Sequence, residues 1–100
     1  MIDEHEWRSV LQVAKDGTFS AAAKHLYISQ PSLSQCIKKV ETELGVRLFD
    51  RSQTPLALTP AGTIYVRQAK EILRIQQSLV QEVADLSELR TGSLTIGSSR

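Results

Sequence analysis

The longest helical pattern in this sequence occupies its last third and leaves little choice about the architecture. From Pro60 to Arg90 the chain contains no further proline, and Gly62 near the start is the only glycine. Thr59 followed by Pro60 is a strong helix start, because threonine can cap a helix and proline is tolerated in its first turn. About 30 residues that rise about 1.5 Å each form a helix of about 45 Å. Such a helix is too long to lie inside a globule of 100 residues.

Apolar residues on this predicted helix recur at intervals of three and four, which is the spacing of a coiled-coil seam. They are Ile72, Ile75, Leu79, Val83, Leu86 and Leu89, and polar residues fill most of the remainder. An apolar stripe without a counterpart in the chain predicts a helix that pairs with a second copy. We expect the dimer interface to contain Ile72, Ile75, Leu79, Val83 and Leu86.

Two shorter helical patterns open the chain. The first is predicted at about residues 4–16, with a capping box that begins at Asp3 and a helix end at Gly17. The second is rich in alanine, and we expect it to begin at a Ser20 cap and to end near Tyr27. Alanine side chains are small, so they allow a neighbouring helix to approach closely.

A third helix is predicted between a Ser29 cap and Gly45, with Pro31 in its first turn. Its apolar residues fall within a wedge of about 60° on a helical wheel, and they are Leu33, Ile37, Val40 and Leu44. Because only three residues separate it from the second helix, the pair is a helix-turn-helix candidate.

Residues 46–58 lose the helical pattern. Two short apolar stretches, 46–49 and 56–58, flank a segment rich in turn-forming residues. This pattern favours a small two-stranded hairpin, or wing, although a plain loop is the alternative. After the long helix, Ser93–Gly97 alternates like the opening of a β-strand with nothing to pair with, which favours a chain that is the front of a longer protein.

Several classes of protein are excluded by composition. The single cysteine cannot form an intrachain disulfide, and the two histidines and Cys36 lack metal-ligand spacing. No apolar run approaches the roughly 20 residues that span a bilayer, and the acidic N-terminus is unlike a signal peptide. We therefore expect a cytoplasmic protein that lies outside the membrane, with no cofactor in this segment. Because no nucleophile–base pair or phosphate-binding glycine loop is present, we do not expect an enzyme.

The formal net charge of +1 conceals an uneven distribution. Residues 1–6 carry −3, whereas residues 7–39, which include the helix-turn-helix, carry +4. The face of the third helix opposite its apolar wedge is polar and basic. It holds Pro31, Gln35, Lys38, Lys39 and Thr42, with Ser32 and Ser34 on its flanks and Gln30 at the N-terminus of the helix. Glutamine can bind adenine through two hydrogen bonds, and lysine neutralises phosphates, so this face suits DNA. The alternative is an ordinary solvated helix face.

Five motifs together are similar to the LysR-type transcriptional regulators. They are Phe19–Ala23, Leu26–Ser34, Leu44–Phe49, Arg51 and Leu58–Gly62, and the single positions Ile37 and Glu41 belong to the same pattern. The resemblance implies a mainly α fold, with a winged helix-turn-helix at residues 1–58 and a long linker helix for dimerisation at 59–91. It also implies that residues 92–100 form the first strand of an otherwise absent domain that binds a small-molecule effector.

The resemblance also implies which residues contact DNA. Ser20 and Ser34 match backbone contacts, Lys38 matches a polar or basic contact, and Arg51 matches a wing arginine that enters the minor groove. The positions that match major-groove contacts are Gln30, Pro31, Ser32 and Gln35. Thr59 is expected to cap the linker helix first and to contact phosphate second. Gln35 departs from the pattern, because many relatives have arginine, the usual guanine-binding residue, at this position.

We expect a sequence-specific DNA-binding domain that binds a partly palindromic operator as a homodimer, within a full-length protein that is a tetramer. The alternative is a helical dimerisation or protein-interaction module without specific DNA recognition. Lys38, Lys39 and Arg51 beside the glutamines favour DNA, because an interaction scaffold does not need them. Among other residues, we expect Trp7 in the core, Cys36 partly buried, and an ion pair between Asp50 and Arg51.

Overall fold

The computed structural model describes the backbone of residues 3–91 and the side chains of residues 3–87. Its elements, in chain order, are α1 (Glu4–Asp16), α2 (Phe19–Leu26), α3 (Gln30–Leu44), β1 (Phe49–Asp50), β2 (Ala57–Leu58) and α4 (Pro60–Thr91). The chain divides into two compact units, Met1–Lys70 and Glu71–Arg100, and the division falls within α4. The mainly α fold with a small wing is confirmed, whereas the strand predicted at residues 92–100 lies outside the described residues.

The helix ends follow local sequence signals closely. Gly17 and Gly45 follow α1 and α3 with φ angles of 78° and 74°, in the left-handed region that glycine adopts easily. The Ser29 hydroxyl accepts a hydrogen bond of 3.2 Å from the Ser32 amide, as the predicted cap requires. Asp3 occupies the N-cap of α1, but its side chain makes no capping hydrogen bond. The predicted capping box is therefore wrong in that respect.

The start of α2 also differs from the prediction. Thr18, and not Ser20, is the N-cap, and its hydroxyl accepts a hydrogen bond of 3.1 Å from the Ala21 amide. The helix begins earlier because Thr18 is the last extended residue, with φ −143° and ψ 150°. As a result Phe19 joins the helix and packs against the core. Ser20 becomes an exposed residue of the first turn.

One core joins the first three helices, the wing and the start of α4. Its buried members are Val10, Val13, Ala22, Ala23, Leu33, Ile37, Val40, Leu48, Phe49 and Val66. Trp7 is buried as well, as predicted. Leu44, predicted within the apolar wedge of α3, is 39% exposed. It is the last residue of the helix, one turn beyond the buried Val40.

The wing is an antiparallel pair of strands, in which Phe49 pairs with Leu58 and Asp50 with Ala57. The predicted hairpin is thus confirmed, but each strand has only two residues. The Leu56 amide donates a hydrogen bond of 2.8 Å to the Gly17 carbonyl, which ties the wing to the end of α1.

Thr59 and Gly62 bring the first turn of α4 against the wing. The Thr59 hydroxyl accepts from the Gly62 amide at 3.0 Å, as the predicted cap should, and donates to the Arg47 carbonyl at 2.6 Å. A Cβ atom at Gly62 would lie 2.0 Å from the Leu48 carbonyl oxygen, so only glycine fits this close approach. The wing is therefore held from the α4 side by backbone contacts.

Candidate nucleic-acid interface

The N-terminal end of α3 is presented to solvent by the way α2 packs behind it. Ala22 and Ala23 are buried, which confirms the close approach expected of small side chains. The three-residue turn between the helices is held by a hydrogen bond of 3.1 Å from the Ile28 amide to the Ala23 carbonyl. Leu33 and Ile37 fix the rotation of α3 about its axis by their complete burial. The opposite face of the helix is consequently exposed.

That exposed face contains the residues predicted from the sequence. Five of the six positions on α3 are exposed, namely Gln30, Pro31, Ser32, Gln35 and Lys38, while Ser34 is half-buried. The Ser29 hydroxyl donates to the Ser32 hydroxyl at 2.9 Å, so Ser32 is oriented by the cap of its own helix. Lys38 forms no ion pair with any residue within the described range. The arrangement is a polar, cationic helix face with no acidic residue before Glu41.

Three of the predicted contacts, Ser20, Arg51 and Thr59, lie outside α3. Ser20 is exposed in the first turn of α2. The Thr59 hydroxyl is half-buried and already engaged with two backbone groups, so capping is its main role.

The Arg51 side chain is fixed by contacts with other residues of the same chain. Its Nη2 atom lies 3.3 Å from a carboxylate oxygen of Glu41, and its guanidinium carbon lies 5.0 Å from the centre of the Phe19 ring. The side chain is 35% exposed. The predicted ion pair with Asp50 is wrong, because Asp50 accepts hydrogen bonds from the Ser52 hydroxyl and amide at 2.6 and 3.0 Å instead. Those bonds hold the pKa of Asp50 below its usual value of 3.8.

Glu41 belongs to the motifs that resemble the LysR-type regulators, but the sequence analysis assigned it no role at the site. It is 8% exposed, and its Oε2 atom accepts a hydrogen bond of 2.8 Å from the Leu48 amide, while Oε1 faces Arg51. The Glu41 carboxylate thus connects α3 to Leu48 and Arg51, the two residues that flank strand β1. A sequence signal did exist, because Glu41 borders the apolar wedge of α3, about 70° from its centre.

A family described as "Bacterial regulatory helix-turn-helix protein, lysR family" matches residues 5–63, which is more than half of the chain. The chain belongs to the LysR family. The resemblance carried by the sequence motifs is thereby confirmed. The matched segment contains the helix-turn-helix, the wing and the first turn of α4, but not the apolar stripe of α4.

Similar sequences support the assignment to the LysR family. The chain is 43% identical over 86 residues to the uncharacterized HTH-type transcriptional regulator YcgK of Bacillus subtilis (strain 168), covering 86% of the chain and 26% of that protein. It therefore spans about a quarter of that relative's length.

Among solved structures, the BenM_DBD/catB site 1 DNA complex superposes with a TM-score of 0.81 at 29% identity, covering 87% of this chain and 98% of that one. A full-length OxyR variant from Pseudomonas aeruginosa gives 0.75 at 36% identity, covering 88% and 30%.

Charge around this LysR-family helix-turn-helix is partly neutralised within the protein. Lys39 pairs with the buried Glu6 at 2.9 Å, and that hydrogen bond raises the pKa of Lys39. Arg8 pairs with Glu4 at 2.6 Å. Of the three cations expected to flank the glutamines, Lys39 and Arg51 are thus in ion pairs, and the sequence indicated neither Glu6 nor Glu41 as the partner. Lys38 is the member of that trio whose charge faces solvent without an ion pair in the described range.

A shallow groove of about 510 Å³ separates the C-terminal half of α3 from the wing. Lys38, Arg47 and Arg51 line it, with Glu41 at the Arg51 side. The cationic rim continues the polar face of α3 towards the wing. Arg47, which was not among the predicted contacts, therefore lies beside the candidate interface.

The stripe predicted for dimerisation is exposed. Ile72, Ile75, Leu79, Val83 and Leu86 are each at least 40% exposed, and Val80 beside them is exposed as well.

Cys36 is half-buried, as predicted, and burial raises the pKa of its thiol. The described residues contain no cluster of three or more side chains that could hold a metal ion. No helix among them is both long and apolar enough to cross a membrane.

Proposed function

We propose that this LysR-family domain binds double-stranded DNA in a sequence-specific manner by placing the exposed face of α3 in the major groove. The observation that carries the proposal is the capped N-terminal end of α3. There Gln30, Ser32 and Gln35 face solvent on a helix whose rotation is fixed by buried residues. The N-terminal part of such a recognition helix is the part that meets base edges. The structurally similar BenM_DBD domain is known in complex with DNA, which supports DNA as the ligand of this fold.

The side chains divide by the chemistry that each offers. Gln30 and Gln35 have the donor and acceptor pair that reads adenine, while Pro31 and Ser32 complete the base-facing surface. Ser20, Ser34 and Lys38 are assigned to phosphates, with Thr59 as a secondary contact. Arg51 is assigned to the minor groove, which it contacts through the exposed part of its side chain. Glu41 positions the Arg51 guanidinium for this contact.

The domain acts as a dimer through the apolar stripe of α4. Exposed isoleucine, leucine and valine side chains at coiled-coil spacing gain stability when a second copy covers them. A two-fold dimer binds two half-sites about one helical turn, or about 34 Å, apart on a partly palindromic operator.

The whole protein is proposed to be a cytoplasmic transcriptional regulator, tetrameric when complete. This chain spans about a quarter of the length of its relative YcgK. A small-molecule effector is assigned to a further domain outside the described residues, as the family resemblance implies, and no catalytic role is assigned to this segment.

Duplex selection followed by salt titration tests the proposal. The chain is used to select duplexes from a random-sequence pool, and the affinity for the selected duplex is measured against salt concentration. Because each neutralised phosphate releases counterions, Lys38→Ala should reduce the slope of log affinity against log salt by about one for each copy, or about two for the dimer. Lys39→Ala combined with Glu6→Gln is the matched control, since it removes an internally paired cation together with its buried partner and should leave the slope nearly unchanged. Failure to enrich any sequence, with salt-independent retention, would instead support a protein-interaction module.

A further inference from the structure

Tyr27 is the most exposed large hydrophobic residue in the described part of the chain. Its side chain is 94% exposed, and it lies in the turn between α2 and α3. It takes no part in the hydrophobic core, and no described residue forms a hydrogen bond with its hydroxyl group. The fold therefore makes no visible use of the phenol ring.

The backbone of Tyr27 is also unusual. Its φ of 59° and ψ of 40° place it in the left-handed region, and it is the only non-glycine residue with a positive φ among those described. The other two left-handed positions are Gly17 and Gly45. Glycine or asparagine adopts this conformation more readily than tyrosine does. A strained residue that the surrounding structure holds in place is a pointer to function.

The position of this strained, exposed ring coincides with the candidate interface. Tyr27 precedes the Ser29 cap by two residues and Gln30 by three, so it stands at the end of α3 that the proposed function places in the groove. Lys24, exposed one turn earlier on α2, adds a cation to the same end. Because Tyr27 lies before the helix and not on its base-facing side, the closest part of a bound duplex is the sugar–phosphate backbone.

We propose that Tyr27 is a DNA-backbone contact, with its hydroxyl group donating to a phosphate oxygen and its ring packing on the adjacent deoxyribose. Tyrosine hydroxyls are common phosphate donors, and such contacts position a protein without reading sequence. This inference rests on the proposed DNA-binding function. It adds a contact that the helix-turn-helix pattern did not indicate, and it explains why a bulky residue occupies a turn position that suits glycine.

Replacement of Tyr27 by asparagine separates this role from a structural one, because asparagine tolerates the left-handed backbone. Affinities are measured by fluorescence anisotropy for the duplex selected by the wild-type chain and for a scrambled duplex of the same composition. Tyr27→Asn should weaken binding to both by about tenfold for each bound copy, the loss of roughly one hydrogen bond to a charged group per copy. Tyr27→Phe, which keeps the ring, should lose less. The Tm of Tyr27→Asn should equal or exceed that of the wild type.

Leu44→Asn is the control, since it removes another exposed hydrophobic side chain at the far end of α3, about 20 Å along the helix axis. It should leave both affinities unchanged. Unchanged binding by Tyr27→Asn would overturn the inference, as would a loss confined to the selected duplex, which indicates a base contact. A normal affinity with altered transcription by RNA polymerase would overturn it in favour of a protein contact. A wild-type chain that binds neither duplex would contradict the proposed function itself.

Discussion

At the scale of single residues, the contacts of Glu41 decide how the wing sits on the helix-turn-helix. Its carboxylate is buried, yet it has two donors, the Leu48 amide and the Arg51 guanidinium. A buried carboxylate is tolerated only when such partners replace its water. Phe19 supports the same assembly, because its ring lies under Arg51 and meets the Phe49 ring edge-on, with centroids 6.5 Å apart.

Substitution Glu41→Gln removes the charge but preserves the shape of the side chain. The hydrogen bonds to Leu48 and Arg51 lose their charge assistance, so the free energy of unfolding should fall by about 1–3 kcal/mol. Urea denaturation followed by circular dichroism measures this change. Glu43→Gln, on the exposed side of the same helix, should change stability by no more than about 0.5 kcal/mol. Equal effects of the two substitutions would show that Glu41 does not support the wing.

Predictions for single residues were correct where the interaction depends on adjacent residues. They were wrong where the partner lies far away in sequence. The Ser29 and Thr59 caps follow from adjacent residues, and both are confirmed. Arg51 was expected to pair with its neighbour Asp50, but Glu41, ten positions away in sequence, holds it instead. Lys39 likewise pairs with Glu6, 33 positions away. Such partners depend on how the helices cross, which no single-sequence pattern encodes.

At the scale of elements, most helix boundaries were predictable because glycine or proline marks them. Gly17, Gly45 and Pro60 mark three of those boundaries within about one residue. The start of α2 was predicted incorrectly, because Thr18 and Ser20 are both good caps and packing of Phe19 against the core favours the earlier one. The strands of the wing are shorter than the two predicted apolar stretches. Leu48 and Leu56 pack with the hydrophobic core and do not pair with the opposite strand.

The apolar stripe of α4 predicts a clear effect of a single charge. Leu79 is 61% exposed and lies in the middle of the stripe, so Leu79→Glu should place a carboxylate in the dimer seam. We expect the dimer dissociation constant, measured by sedimentation equilibrium, to rise by at least about tenfold, as for a central interface residue. Helix content should stay the same, because the substitution leaves the core untouched. Gln77→Glu, on the opposite side of α4, is the control, and an equal weakening by both would place the interface elsewhere.

At the scale of the whole molecule, ion pairs explain how a chain with a net charge of +1 can bind DNA selectively. Acidic residues in the first turn of α1 pair with Arg8 and Lys39, which leaves few solvent-facing cations near α3. Non-specific affinity comes almost entirely from phosphate neutralisation, so a single copy should bind arbitrary DNA weakly. Tight binding then requires two copies and correct base contacts. Low charge thus favours discrimination over general affinity.

The central claim is that the exposed glutamines of α3 read the DNA sequence. A control with Gln68→Ala and Gln77→Ala alters two exposed glutamines of α4 and should leave binding unchanged.

The most direct measurement is a gel-shift titration of the Gln30→Ala, Gln35→Ala double variant against the selected duplex and a scrambled one. Each lost bidentate contact removes about 1–3 kcal/mol of discrimination, so the ratio of the two affinities should collapse while weak binding to the scrambled duplex persists. A double variant that discriminates as well as the wild type would contradict the account.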